Sequence, residues 1–179
     1  MNTERLNHLI TVLEGVSRAN KAFNLHAWVL NEDAGWEPDE DATVGSLDET
    51  CGTACCALGY AALDPTFVQQ GLTMTLAIDT HGDWRSRTKL PVKSLGEFNA
   101  AVKKYGTKLA YGSPAFGFNT EFDAGKAFFD ITYDAAHYLF DPDFYDEERI
   151  TPEMVIERVR EVIAHGGDAP PIQDDEDSE

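Results

Sequence analysis

The run Cys51-Gly-Thr-Ala-Cys-Cys-Ala-Leu-Gly-Tyr-Ala-Ala-Leu63 constrains the fold most, because it carries no charged residue and is built largely of small and apolar side chains. A helix without a polar face is stable only when it is enclosed, and small residues let its neighbours approach closely. The run therefore reads as a buried helix around which the rest of the chain packs. Asp64-Pro65 follows directly, capping and restarting a short helix through Gln70, with Gly71 as its stop. The chain of 179 residues has room for one domain of ordinary size. Ten Phe, six Tyr and three Trp supply the bulk such a core needs.

The flanking segments indicate what encloses that helix. Leu6, Leu9, Ile10, Leu13 and Val16 recur at three- and four-residue steps, which predicts a helix over residues 4 to 19 with Thr3 as its cap. Alternation at Phe23, Leu25, Ala27 and Val29 suggests a strand. Thr73 to Ile78 and Trp84 to Val92 read as a hairpin around Asp79-Thr-His-Gly-Asp83. Ser94 with Glu97 forms a capping box for a helix to Tyr105, and Lys108 to Tyr111 makes a further short strand. In the last third Thr120 and Asp123, Thr132, and Thr151-Pro152 each open a helix, with Asp130-Ile131 as a corner and Gly166-Gly167 as the final stop. The expected fold is a single α+β domain over residues 1–166: a small, mostly antiparallel sheet packed by several helices, with a helical C-terminal third. A solvated acidic loop over 31–50 and a disordered acidic tail over 167–179 complete the expectation.

Charge narrows the function. The chain has 32 acidic and 14 basic residues, for a net charge of −18. Trp84 to Lys108 holds seven basic residues, Arg85, Arg87 and Lys89 among them, against Glu97 alone; its net of +6 leaves −24 for the remainder. Such a body is repelled by nucleic-acid phosphates and anionic lipids, although the stripe of Arg85, Arg87 and Lys89 keeps a phosphate contact conceivable. The acidity falls in the 31–50 loop, with Glu37, Asp39, Glu40 and Asp41, and in a second cluster with Asp143, Asp146, Glu147 and Glu148. Phe144 and Tyr145 sit inside that second cluster. Aromatic anchors ringed by charge typify interfaces, although such rings belong equally well to a core, and all ten residues are candidate partner contacts. Solubility alone is the plainer account of the acidity.

The histidines and cysteines supply an enzymatic alternative. Cys51 or Cys55 near a helix start would have a lowered thiol pKa, and His81 or His137 could serve as its base, or the set could hold zinc. The plainer account is that small thiols fill a tightly packed helix. No Cys-x-x-Cys pair, P-loop, dinucleotide fingerprint or Gly-x-Ser-x-Gly elbow appears, and Asp39-Glu-Asp41 fails as a calcium loop because Val44 stands where glycine is needed. No cofactor and no metal is expected. Three clustered cysteines suit a reducing compartment. Residues Met1 to Asn20 lack the pattern of a signal peptide, and the apolar runs fall short of the roughly 20 residues of a membrane span. A cytoplasmic location without membrane attachment is the expectation.

The cysteine-bearing run, Phe67 to Leu72, Ala127-Phe-Phe129 with Ala136 and Leu139-Phe140, and Ile150-Thr-Pro-Glu-Met-Val155 with Arg158 together resemble a group of small uncharacterised bacteriophage and prophage proteins. The similarity spans about residues 51 to 165, and the acidic loop and tail lie outside it. It implies a phage accessory protein working in the cytoplasm of an infected cell. The sequence thus points to a non-enzymatic binding protein whose acidic surface engages or inhibits a nucleic-acid-handling protein of the host or its defences, by charge mimicry of nucleic acid. A small cysteine- or zinc-dependent enzyme and a virion or assembly component are the competing expectations.

Overall fold

The computed structural model describes residues 1–21, 23, 56–78, 88–105, 109–146 and 149–171. Within them the chain forms α1 (Thr3–Arg18), α2 (Ala57–Leu63), α3 (Pro65–Gln69), β1 (Leu72–Ile78), β2 (Thr88–Val92) and α4 (Leu95–Tyr105). Then follow β3 (Leu109–Phe116), β4 (Asn119–Thr120), α5 (Glu121–Phe129), α6 (Tyr133–Phe140), a 3-10 turn at Pro142–Phe144 and α7 (Pro152–Ala164). This is an α+β fold with a four-stranded antiparallel sheet in the order β2-β1-β3-β4.

The described part of the uncharged run lies at the centre, its residues 51–55 being outside the described residues: all seven residues of α2 are buried, and the helix packs on β1 and β3 with α1 across it. Its first residue is Ala57, one position after Cys56, which serves as the cap. The predicted face of α1 is buried at Leu6, Leu9, Leu13 and Val16, and it meets Val155, Ile156, Val159 and Val162 of α7. Asn2, rather than Thr3, caps α1 by accepting from the Arg5 amide at 3.1 Å. Asp64 caps α3 as expected, its Oδ1 accepting from Thr66 N at 2.9 Å and Phe67 N at 3.1 Å.

The two expected strands pair antiparallel, with Met74 opposite Val92 and Ile78 opposite Thr88, while residues 79–87, which hold the expected turn and the start of the second strand, lie outside the described residues. The later strand does not stop at Tyr111. β3 continues to Phe116 and pairs along β1 from Leu72–Phe116 onward, despite Gly112 and Pro114. β4 reaches only Ala115 and Phe116, so at Pro114 β3 has no second strand among the described residues. That is where a sheet tolerates a missing amide donor. Pro91 lies on edge strand β2 for the same reason.

Aromatic rings join the helices to the sheet. Phe67 meets Phe128 and Phe129 edge to face at 5.2 and 5.7 Å, and Phe128 meets Phe116 at 5.2 Å. Gly125 lies where α2, α5 and α6 converge: a Cβ there would come within 3.0 Å of the Phe140 ring and 3.1 Å of Leu58. Asp130, in the left-handed region at φ 53°, ends α5 and makes the expected corner, after which Thr132 caps α6 by accepting from Ala135 N. Gly166 and Gly167 stop α7 at φ 70° and 100°. Gly167 is itself buried and its carbonyl accepts from Thr132 N at 3.1 Å, so ordered packing runs past residue 166.

Candidate interaction surface

Four residues of α6 and its exit define the site. Ala135, Ala136, Leu139 and Phe140 face the core, which turns Tyr133 and His137, one helical turn apart, to another side. Asp141 ends the helix with both carboxylate oxygens engaged. Oδ2 lies 2.8 Å from His137 Nδ1, and Oδ1 accepts from Asp143 N at 3.1 Å, which caps the 3-10 turn. The turn presents Phe144 to solvent at 46% exposure, while Tyr133 is 53% exposed. Both rings approach the imidazole, at centroid distances of 6.0 and 4.4 Å, and Phe122 of α5 closes the third side at 4.4 Å. His137 Nε2 is buried inside this cradle without a hydrogen-bond partner.

The cradle is fixed from beneath by Arg158 of α7. Its guanidinium lies 3.5 Å from the Tyr145 ring centroid and 4.3 Å from that of Tyr138, donates to the Tyr138 carbonyl at 2.8 Å, and donates to the Phe144 carbonyl. Planar guanidinium suits this simultaneous stacking and hydrogen bonding as ammonium does not. Tyr138 in turn donates to Glu161 at 2.5 Å; burial first, then that bond, pushes its phenol up to about 12.

Tyr145 is therefore not a surface contact. It is 8% exposed, and its hydroxyl donates to the Leu139 carbonyl at 3.0 Å, which makes it part of the core beneath the acidic turn. Its neighbours Asp143 and Asp146 are exposed. Glu37, Asp39, Glu40, Asp41, Glu147 and Glu148 lie outside the described residues, as do Cys51, Cys55, His81, Arg85 and Arg87. Lys89 is exposed on edge strand β2 opposite Ala77. Of the enzymatic set only His137 can be located, and its observed companion is Asp141.

The third cysteine is described and is chemically quiet. Cys56 is buried at the start of α2, where its Sγ accepts from Gly59 N at 3.2 Å. Burial pushes its thiol up to about 12 despite the backbone donors around it, the reverse of what an activated nucleophile needs. Among the described residues no group of three or more His, Cys, Asp or Glu is placed to hold a metal ion. No described helix is long and apolar enough to cross a membrane.

Sequence reading missed two aromatic residues. Tyr133 had a signal in its helical phase, four residues from His137 and off the Ala135–Leu139 face. Phe118 is fully exposed on the Gly117-Phe118 turn between β3 and β4, and nothing local marks it beyond that turn position. Among the described residues the three large exposed aromatic side chains thus fall within residues 118–144, interspersed with the exposed carboxylates of Glu121, Asp123, Asp134 and Asp143. Comparison with protein-family models, with curated proteins and with solved structures finds no match.

Proposed function

We propose that this chain is a non-enzymatic phage accessory protein that binds a basic, nucleic-acid-handling protein of the host or its defences. The observation that carries the reading is the exposure of Phe118, Tyr133 and Phe144 among carboxylates on one stretch of a strongly acidic chain. Isolated exposed apolar residues need no explanation, whereas aromatic anchors with a charged surround match the centre and rim of a protein interface. Acidity of this density favours a partner whose own surface is basic, accelerates association and makes it sensitive to salt. The phage setting is supplied by the resemblance over residues 51 to 165.

The test is capture from bacterial lysate on immobilised protein, with wild type beside the Tyr133→Ala/Phe144→Ala double variant. A partner retained by wild type, released by heparin and by salt, and lost by the double variant is the expected result. Absence of any salt-sensitive partner overturns the reading.

The His137–Asp141 pair favours a second reading. A carboxylate that orients an imidazole through Nδ1 is the arrangement used for a general base or a zinc ligand. Cys51 or Cys55 would then provide the sulfur. Rapid alkylation of one thiol at neutral pH, slowed in His137→Gln, supports the enzyme; uniformly slow alkylation together with no bound zinc removes it.

A further inference from the structure

Resting on the binding reading above, we propose that the His137 cradle receives one arginine side chain from a basic segment of the partner protein. In the neutral tautomer that donates from Nδ1 to Asp141, Nε2 is left as an acceptor. An acceptor buried without a donor is destabilising, and native proteins rarely keep one without a reason. Two of the rings beside the imidazole, Tyr133 and Phe144, are about half exposed, so a guest reaching Nε2 would displace one of these rather than the core.

The chemistry around Nε2 selects the guest. A guest for the neutral imidazole donates a hydrogen bond, lies flat against an aromatic ring and carries positive charge suited to a segment with exposed carboxylates at Asp134 and Asp143. Guanidinium meets all three demands at once, because its N–H groups lie in the plane that stacks. Ammonium lacks the plane. Lys126 Nζ already lies 6.0 Å from the Tyr133 ring, so repulsion steers an incoming cation toward Phe144. The inner side of the same segment holds one guanidinium in this way, that of Arg158, stacked on two tyrosines while donating to two carbonyls.

The full chain is titrated calorimetrically with three synthetic decapeptides in which glycine alternates with arginine, lysine or citrulline, and the histidine ring nitrogens are followed by NMR. The arginine peptide is expected to bind about tenfold or more tighter than the lysine peptide, to outbind the uncharged citrulline peptide, and to shift the His137 Nε2 signal. That preference is expected to fall to near one in both Phe144→Ala and His137→Phe. Equal, salt-sensitive binding of the arginine and lysine peptides overturns the cradle and leaves the acidic-surface reading standing. So does an arginine preference that survives in both variants. Argininamide binding as tightly as the arginine peptide overturns a protein segment as the occupant. Binding of none of the three peptides, together with no salt-sensitive partner from lysate, overturns both readings.

Discussion

Cys56 and His137 are the two described residues whose side chains most invite a chemical role, and their surroundings separate them. Cys56 starts a helix with no exposed residue, its sulfur spent on the Gly59 amide and its proton held by burial. His137 sits in a short helix with one open side, held at Nδ1 by Asp141 and unpartnered at Nε2. Both are mostly buried. What differs is the cover: Cys56 lies under fixed helix and sheet, whereas His137 lies under two half-exposed rings. A buried polar atom is available to a partner only when what covers it can move without opening the core.

The largest effect is expected where the two regions share support. Arg158→Ala removes two stacked contacts and strips donors from the Tyr138 and Phe144 carbonyls, and should lower the unfolding free energy by about 3 kcal/mol in urea titration. Arg158→Lys should recover less than half, because ammonium cannot stack and fork. If the alanine variant matched wild type, the cradle would not depend on α7, and the contrast between a rigid floor and a movable cover would fail.

Gly125→Val comes next, since the added carbons meet Phe140 and Leu58 at the junction of α2, α5 and α6. Overpacking there should cost roughly 2 kcal/mol, read from the same titration. A smaller loss is expected for Cys56→Ala, which deletes the α2 cap at about 1 kcal/mol. The thiol gives this variant a pH signature as well. Its pKa is raised in the folded chain, so the associated stabilisation is complete below about 9 and is lost as pH rises toward about 12. Unfolding titrations at pH 7 and pH 10 should therefore converge for wild type and variant as alkali is added. A gap that widens with pH would mean that Cys56 ionises in place.

Phe144→Ala and Tyr133→Ala should move the unfolding midpoint least, by about 0.5 kcal/mol or less each, because both rings are about half exposed already. Their expected loss is in partner capture alone. A large stability cost for either would move that residue from the movable cover to the fixed core, and the comparison would have to be redrawn.

Helix starts were the most legible part of the sequence. Asp64, Thr132 and Thr151 each accept a backbone amide of the first turn, because capping is settled within four residues, whereas Asn2 takes the place expected of Thr3 and Thr120 precedes α5 without a side-chain cap bond. The pairing of β1 with β2 was legible through the alternation of their residues. β3 was cut short because proline and glycine weaken a strand pattern locally, while pairing to β1 is decided across the sheet. The site was half legible. Asp143, Phe144 and Asp146 stand exposed while Tyr145 is buried, a division between neighbours that their shared charged context left open. That burial follows from Arg158, thirteen positions later, and no local pattern conveys it. The link from His137 to Asp141 was within reach as an i, i+4 pair on one helix face.

Arg158 also bears on how the acidic turn opens. Exposed turns usually exchange their amide hydrogens through small local fluctuations, independently of the rest of the molecule. Here the Phe144 carbonyl and the Tyr145 ring are tied to a side chain that belongs to α7, and α7 packs against α1. The turn and the two terminal helices should therefore form one cooperative unit. The Tyr145 amide, which donates to the Pro142 carbonyl at 3.0 Å, should then exchange at a rate close to that of the α7 interior. A partner that clamps Phe144 would slow exchange in α1 as well, at a distance from anything it touches.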